Sequence, residues 1–218
     1  MKVFLDFTET INVLSESAGR AFSLLVSNLY KKVGVMWSTY SKKYKSKLVP
    51  IMDYWSSVWG FKLYSKPDTI HNRIIKFFLG VNKYISTPVI HGDMGWDPPL
   101  IRRKLNMLRL WKRLICMDNT RLTKQIFVWE YSKCRNNWSH YVKRVFVSID
   151  NIVAFQSCLF VSFENPRYYL QEVTLKLLDK YKHRWKTDIV SQSKLSLLYK
   201  HIKREYLKGR TLCKYEYE

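Results

Sequence analysis

Glycine and proline are scarce in this chain, 7 and 6 among 218 residues, which excludes a collagen-like, loop-dominated or low-complexity protein. Cysteine is scarcer still. The four cysteines, Cys116, Cys134, Cys158 and Cys213, stand 18, 24 and 55 residues apart. That spacing matches neither paired CxxC metal ligands nor a dense disulfide framework, so reduced thiols are expected. No apolar run approaches the roughly 20 residues of a membrane span, and no lipidation motif is present. The opening MKVFLDFTET reaches Asp6 and Glu9 before an apolar signal core could form, which points to an intracellular protein, nuclear or cytoplasmic, rather than a secreted one. Glycine-rich phosphate loops, a Gly-x-Ser-x-Gly elbow and a His-Glu-x-x-His pair are also missing, so the common enzyme signatures fail and no cofactor is expected.

The last shortage is of acid. Against 38 Lys and Arg there are 17 Asp and Glu, leaving a net charge of +21. A field of that sign attracts polyanions by releasing their condensed counterions, which makes RNA, DNA or an RNA/DNA hybrid the expected partner and an anionic membrane surface a minor one. No detachable tail holds the excess: the nets over residues 1–66, 67–135 and 136–218 are +6, +8 and +7. What the chain has in quantity is apolar surface, 47% of residues with 16% aromatic. A compact fold of this length hides roughly 70% of its unfolded surface.

Periodicity makes the fold class mainly α. Residues 2–7 alternate in a short strand-like run. Residues 12–33 read as a helix with Val13, Ala21, Leu24, Leu25, Asn28 and Leu29 on its inner face and Gly34 as its stop. Ser38 begins a second helix that Pro50 interrupts. Pro67 and Asp68 start a third, with Ile70, Ile74, Phe77 and Phe78 on one stripe and Gly80 as its left-handed cap. Residues 86–99 read as a loop from their three prolines and two glycines. From Pro99 to Met117 a helix carries Ile101, Leu105, Leu108, Trp111 and Ile115 on one face and Met107, Leu110 and Leu114 on another. Asp118 caps the next, to about Lys133, with Leu122, Ile126 and Trp129 inward. Further helices are expected over 138–149, 167–187 and 194–208, with 151–163 open between strand and helix.

Several stretches are similar to the region after the polymerase active site in the reverse transcriptases of non-LTR retrotransposons of the jockey-like kind. LSESAGRAFSLLVSNLYKKVGV from Leu14 resembles the small-residue helix that follows the palm, and VPIMDYWSSVWGF from Val49 the apolar segment ending in a Trp-Gly pair. FFLGVNKYISTPVIHGDMGW from Phe77 is the sharpest piece. Arg102-Arg103 through Asn119 and RLTKQIFVWEY from Arg121 continue it, so the resemblance covers residues 4–131; the last third is only weakly similar. It implies the thumb and post-palm part of an RNA-directed DNA polymerase: end-of-palm helices over 1–66, a thumb-like helical bundle over 67–135 and a helical extension over 136–218. Such a region grips template and primer through the backbone. The family's catalytic aspartates lie upstream, and no Asp-Asp pair occurs here, so no catalytic or metal-binding residue is assigned and an upstream palm and fingers segment is an implied partner.

Two clusters are candidates for nucleic-acid contact. Arg102, Arg109 and Arg113 share a strip on one helix, joined by Arg103, Lys104 and Lys112, and guanidinium forks fit phosphate oxygens without reading bases. The bland reading is a solvated helix face. Lys42, Lys43, Lys45 and Lys47 alternate with Tyr40 and Tyr44, which suits phosphate contact with stacking, or equally a surface helix anchored by its tyrosines. His91-Gly92-Asp93-Met94-Gly95-Trp96 is better read as a tight buried turn than an acid–base site, and Cys134 with His140 better as a buried thiol than half a zinc site. Of the tryptophans, Trp37, Trp55, Trp59, Trp111 and Trp129 are expected in the core, with Trp138 and Trp185 freer. A decayed retroelement reading frame, a helical protein-interaction scaffold, and a polymerase portion completed by an upstream chain stay open as alternatives.

Overall fold

The computed structural model describes residues 6–30, 37–151, 155 and 166–191, and everything structural below concerns these. The fold is mainly helical, as the periodicity predicts. Its elements are α1 (Thr8–Tyr30), α2 (Trp37–Lys43), a π-helical turn (Tyr44–Leu48), α3 (Val49–Met52), α4 (Ser56–Trp59), α5 (Ser65–Phe78), α6 (Thr87–Met94), α7 (Pro99–Ile115), α8 (Leu122–Lys133), α9 (Trp138–Val147) and α10 (Pro166–Ser191). The predicted strand falls mostly on residues outside those described, and Asp6 and Phe7 are irregular; no strand occurs among the described residues. The predicted stop at Gly34, the helix over 194–208 and nearly all of 151–163 also lie outside them.

Contacts group the chain into two units that are discontinuous in sequence. Unit A takes Phe7–Tyr54, Tyr64–Pro99 and the residues from Lys182; unit B takes Trp55–Leu63 and Leu100–Tyr181. Each of the stretches 1–66, 67–135 and 136–218 therefore contributes to both.

In unit A, α1 packs on α5 and α3, and α5 on α6. The inner face of α1 is Ile11, Ser15, Ala18 and Phe22, while Val13 and Leu24 are exposed. This corrects the expected stripe at Val13, Leu24 and Asn28, whereas Ala21 and Leu25 pack against the core as expected. The small Ser15 and Ala18 admit close neighbours, and Phe22 sets its edge against Phe77 at 5.4 Å. The wide turn at Tyr44–Leu48 lies immediately before Pro50, where Val49 N–H reaches back to the Tyr44 carbonyl. Proline has no N–H to give the carbonyl four residues earlier and its ring crowds that carbonyl, so a local widening accommodates it. Tyr44 and Leu48 both end up buried.

α5 ends as its sequence specifies. Gly80 has φ +64°, its N–H donates to the Phe77 carbonyl and Val81 N–H to that of Lys76, each at 3.1 Å, the paired bonds of a Schellman cap. The expected loop over 86–99 is instead partly helix: Pro88 sits in the first turn of α6 and Gly95, at φ +61°, closes it. Proline's fixed φ is pre-organised for a first turn, so the residue read as a breaker acts as a starter.

Unit B is built on α7, whose Ile101, Leu105, Met107, Leu108 and Trp111 are buried with Phe127 of α8, Val142, Val145 and Phe146 of α9 and Val173 and Leu177 of α10. Asn137 caps α9 by accepting from His140 N–H at 2.9 Å, and the Glu130 carboxylate accepts from Trp138 N–H at 3.0 Å. The expectation for α8 is inverted. Lys124 and Phe127 face inward, whereas Leu122, Ile126 and Trp129 are 70%, 55% and 60% exposed. Lys124 tolerates burial because its Nζ donates to the carbonyl of Ile115, the last residue of α7, where the helix dipole favours a cation. The tryptophans reverse in part: Trp59 and Trp111 are buried as expected, but Trp138 and Trp185 are buried too, with indole N–H groups on the carbonyls of Ser57 and Pro88, while Trp55 and Trp129 are exposed.

Two glycine substitutions separate conformation from space. A Cβ on Gly80 meets nothing within 4 Å, so Gly80→Ala is expected to cost only the left-handed backbone penalty, about 1 kcal/mol. A Cβ on Gly60 would lie 2.4 Å from the Ser56 carbonyl oxygen and 2.8 Å from Arg103 Cβ, so Gly60→Ala is expected to cost on the order of 3 kcal/mol by overpacking. Urea unfolding of the two variants checks the order, and equal losses would contradict it.

Candidate nucleic-acid interface

The α7 residues divide by their angle around the helix axis. Arg109 and Arg113 are exposed and one turn apart; Arg102, Lys104 and Lys112 are half-buried. Arg103 is fully buried. Its guanidinium carbon lies 5.3 Å from the centre of the Trp59 ring, and Gly60 abuts its Cβ. Of the six cations singled out on this helix, Arg103 therefore has no surface to present to a phosphate. The rest leave a strip centred on Arg109 and Arg113. Arg109 Nη1 donates to Asn106 Oδ1 at 2.8 Å, which holds one edge of the guanidinium and leaves others toward solvent. Beside it an open groove of about 420 Å³ runs between α7 and α10, lined by Leu105, Arg109, Gln171, Thr174 and Leu175.

The second cluster belongs to unit A. Lys42, Lys45 and Lys47 are exposed and Lys43 is half-buried. Their neighbouring tyrosines are not free to stack on bases. Tyr44 is buried, its ring parallel to that of Trp96 at 3.9 Å and 8°, and Tyr40 rests on Phe78 at 4.8 Å. This is the anchored surface helix of the bland reading, with the lysines as its wet side. The two clusters lie in different units, and each is a candidate by itself.

The remaining chemical groups resolve into packing. Tyr44 Oη and His71 Nδ1 share a hydrogen bond of 2.6 Å, the His71 and His91 rings meet edge to face at 5.5 Å, and His91 Nε2 donates to Asn72 Oδ1 at 2.7 Å. His91 and Trp96 are both buried as expected, but His91–Met94 form the last turn of α6 rather than a tight turn, and of the two glycines Gly95 alone takes a positive φ. Burial pushes the Cys134 thiol up, against the partly opposing cation of Lys143, which disfavours the thiolate that metal binding or nucleophilic attack would need. The exposed Asp118 carboxylate turns into its own loop, accepting from Thr120 N–H and Oγ1, and these bonds hold it below its ordinary value. Among the described residues no three His, Cys, Asp or Glu side chains form a metal-holding group, and no helix is long and apolar enough to cross a membrane.

The sequence pattern found the α7 strip because a seven- and four-residue recurrence of arginine needs only helical geometry. It missed that Arg103, 100° around the axis, is roofed by an indole. The preceding Trp59-Gly60 pair is the signal for that, since a ring followed by a residue with no side chain is what close cover of a cation requires.

No protein-family model, curated protein or solved structure matches this chain.

His91 supplies a pH test. Burial lowers its pKa from 6.5 to about 4, so between these values the unfolded chain takes up a proton that the folded imidazole refuses. Stability is therefore expected to be independent of this group above about pH 7 and to fall between pH 6.5 and 4, by up to roughly 3 kcal/mol. Urea unfolding across that range, compared with His91→Gln, measures it; identical acid slopes for the two proteins would refute the assignment.

Proposed function

We propose that this chain is the non-catalytic C-terminal portion of a non-LTR retrotransposon reverse transcriptase, and that it binds the sugar-phosphate backbone of a template–primer duplex without reading sequence. The observation that carries the reading is the pair of exposed guanidiniums, Arg109 and Arg113, on a helix whose other two sides are packed. A buried scaffold gives them a fixed spacing of about 6 Å along the axis, and charge-assisted bonds to phosphate gain from such pre-organisation. The net charge of +21 supplies the long-range attraction. The exposed Lys42, Lys45 and Lys47 make a separate cationic cluster in the other unit. The resemblance of residues 4–131 to the post-palm region of these polymerases gives the ligand class, and the absence of an Asp-Asp pair from the 218 residues makes the contribution grip rather than nucleotide transfer.

If some six phosphates are engaged, the logarithm of affinity for a mixed-sequence duplex is expected to fall against the logarithm of salt with a slope of roughly −5. Arg109→Ala and Arg113→Ala should each lower that slope by about 1 while leaving the unfolding midpoint in place, because both side chains are exposed. Fluorescence anisotropy over a salt series reads this out. Binding that is absent, salt-insensitive or unchanged in the double variant would overturn the proposal.

A further inference from the structure

The twelve residues of α8 carry apolar side chains on both their buried and their exposed sides. Lys124, Phe127 and Tyr131 turn toward unit B, Lys124 bonded to the end of α7 and Phe127 in contact with Tyr131. Leu122, Ile126 and Trp129 turn to solvent at 70%, 55% and 60% exposure, with the Nζ of Lys133 resting 3.9 Å from the Trp129 ring centre. The steps from 122 to 126 to 129 to 133 are four, three and four, the recurrence of the d and a positions of a heptad. Val128 lies to one side and is less exposed, at 39%; the main line of three apolar residues ending in a cation fits one partner helix, where a bilayer surface calls for a broader apolar face.

The charges around the seam say what that helix carries. Arg121, Lys133 and Arg135 are exposed at its two ends. The neighbouring carboxylates are engaged locally: Glu130 accepts from Trp138 N–H, and Asp118 from Thr120. The flanking Thr123, Gln125 and Ser132 are exposed and uncharged. A second copy of this chain would bring a further +21 to the same place. We infer that the outer face of α8 is a docking seam for an acidic amphipathic helix of another protein, with Leu or Ile side chains packing on Leu122, Ile126 and Trp129 and carboxylates meeting Arg121, Lys133 and Arg135. This surface is independent of the phosphate-binding reading of α7.

A synthetic three-heptad helix with Leu at a and d and Glu at e and g is the probe, titrated into the full chain after nuclease treatment. Binding is expected, weakened at least about tenfold by Ile126→Asp and by Trp129→Ala, with Ile126→Ser as a milder second variant. Because these side chains are exposed, the thermal midpoint should stay put, and duplex binding should be unaffected. Equal binding by a peptide of the same composition with its leucines scrambled would reduce the effect to bulk charge and overturn the inference. So would sedimentation showing an Ile126-dependent dimer of the chain alone. Ile126-dependent binding of phosphatidylserine vesicles or of a single-stranded oligonucleotide in place of the peptide would overturn it too.

Discussion

One cation taken out of water organises unit B. Arg103 lies in the middle of α7 with no exposed surface, and removing such an ion from solvent costs several kcal/mol unless it is met from all sides. The Trp59 face covers the guanidinium, a contact that strengthens to about 2 kcal/mol when water is excluded, and Gly60 lets the backbone of α4 close over the stem. The short helix α4 is thereby fixed, and others attach to it: Asn106 of α7 donates to the Ser56 hydroxyl at 2.8 Å, and Trp138 of α9 to the Ser57 carbonyl at 2.9 Å. The same rotation of α7 that turns Arg103 inward turns Arg109 and Arg113 outward.

Unit A uses neutral polar groups to similar effect. The parallel rings of Tyr44 and Trp96 carry a hydrogen bond on to His71, and His91 beside it is held uncharged at neutral pH. Buried imidazoles anchored in this way give direction to a core that Leu48, Met52, Ile74, Ile75 and Met94 fill without direction. The wide turn before Pro50 is what delivers Tyr44 to that place, so a backbone irregularity forced by one proline is used to seat the central ring of the unit.

How much of this was legible depended on whether a local signal was sufficient. Gly80 and the Ile74–Phe78 stripe define α5 without help from elsewhere, and the two-sided apolar pattern of α7 does the same. Helix faces chosen by distant partners were not legible. Leu122, Ile126 and Trp129 are the more apolar side of α8, and only the Ile115 carbonyl, a backbone group invisible to side-chain patterning, explains why Lys124 goes inside. Trp138 and Trp185 sit among polar neighbours in sequence but find the Ser57 and Pro88 carbonyls in space. Helical spacing alone places Arg109 and Arg113 on one exposed strip, but the burial of the neighbouring Arg103 was decided by Trp59, some forty residues earlier.

The interleaving of the two units has a kinetic consequence. The chain passes between them at 54/55, 63/64, 99/100 and 181/182, so neither can be excised as one continuous piece, and unit B must hold the segment around Trp59 against a helix that follows all of α5 and α6. Loops of that length close against chain entropy before their contacts repay it. In ribosomal synthesis Trp59 and Gly60 emerge some forty residues before Arg103, so their contact cannot form until α7 is made.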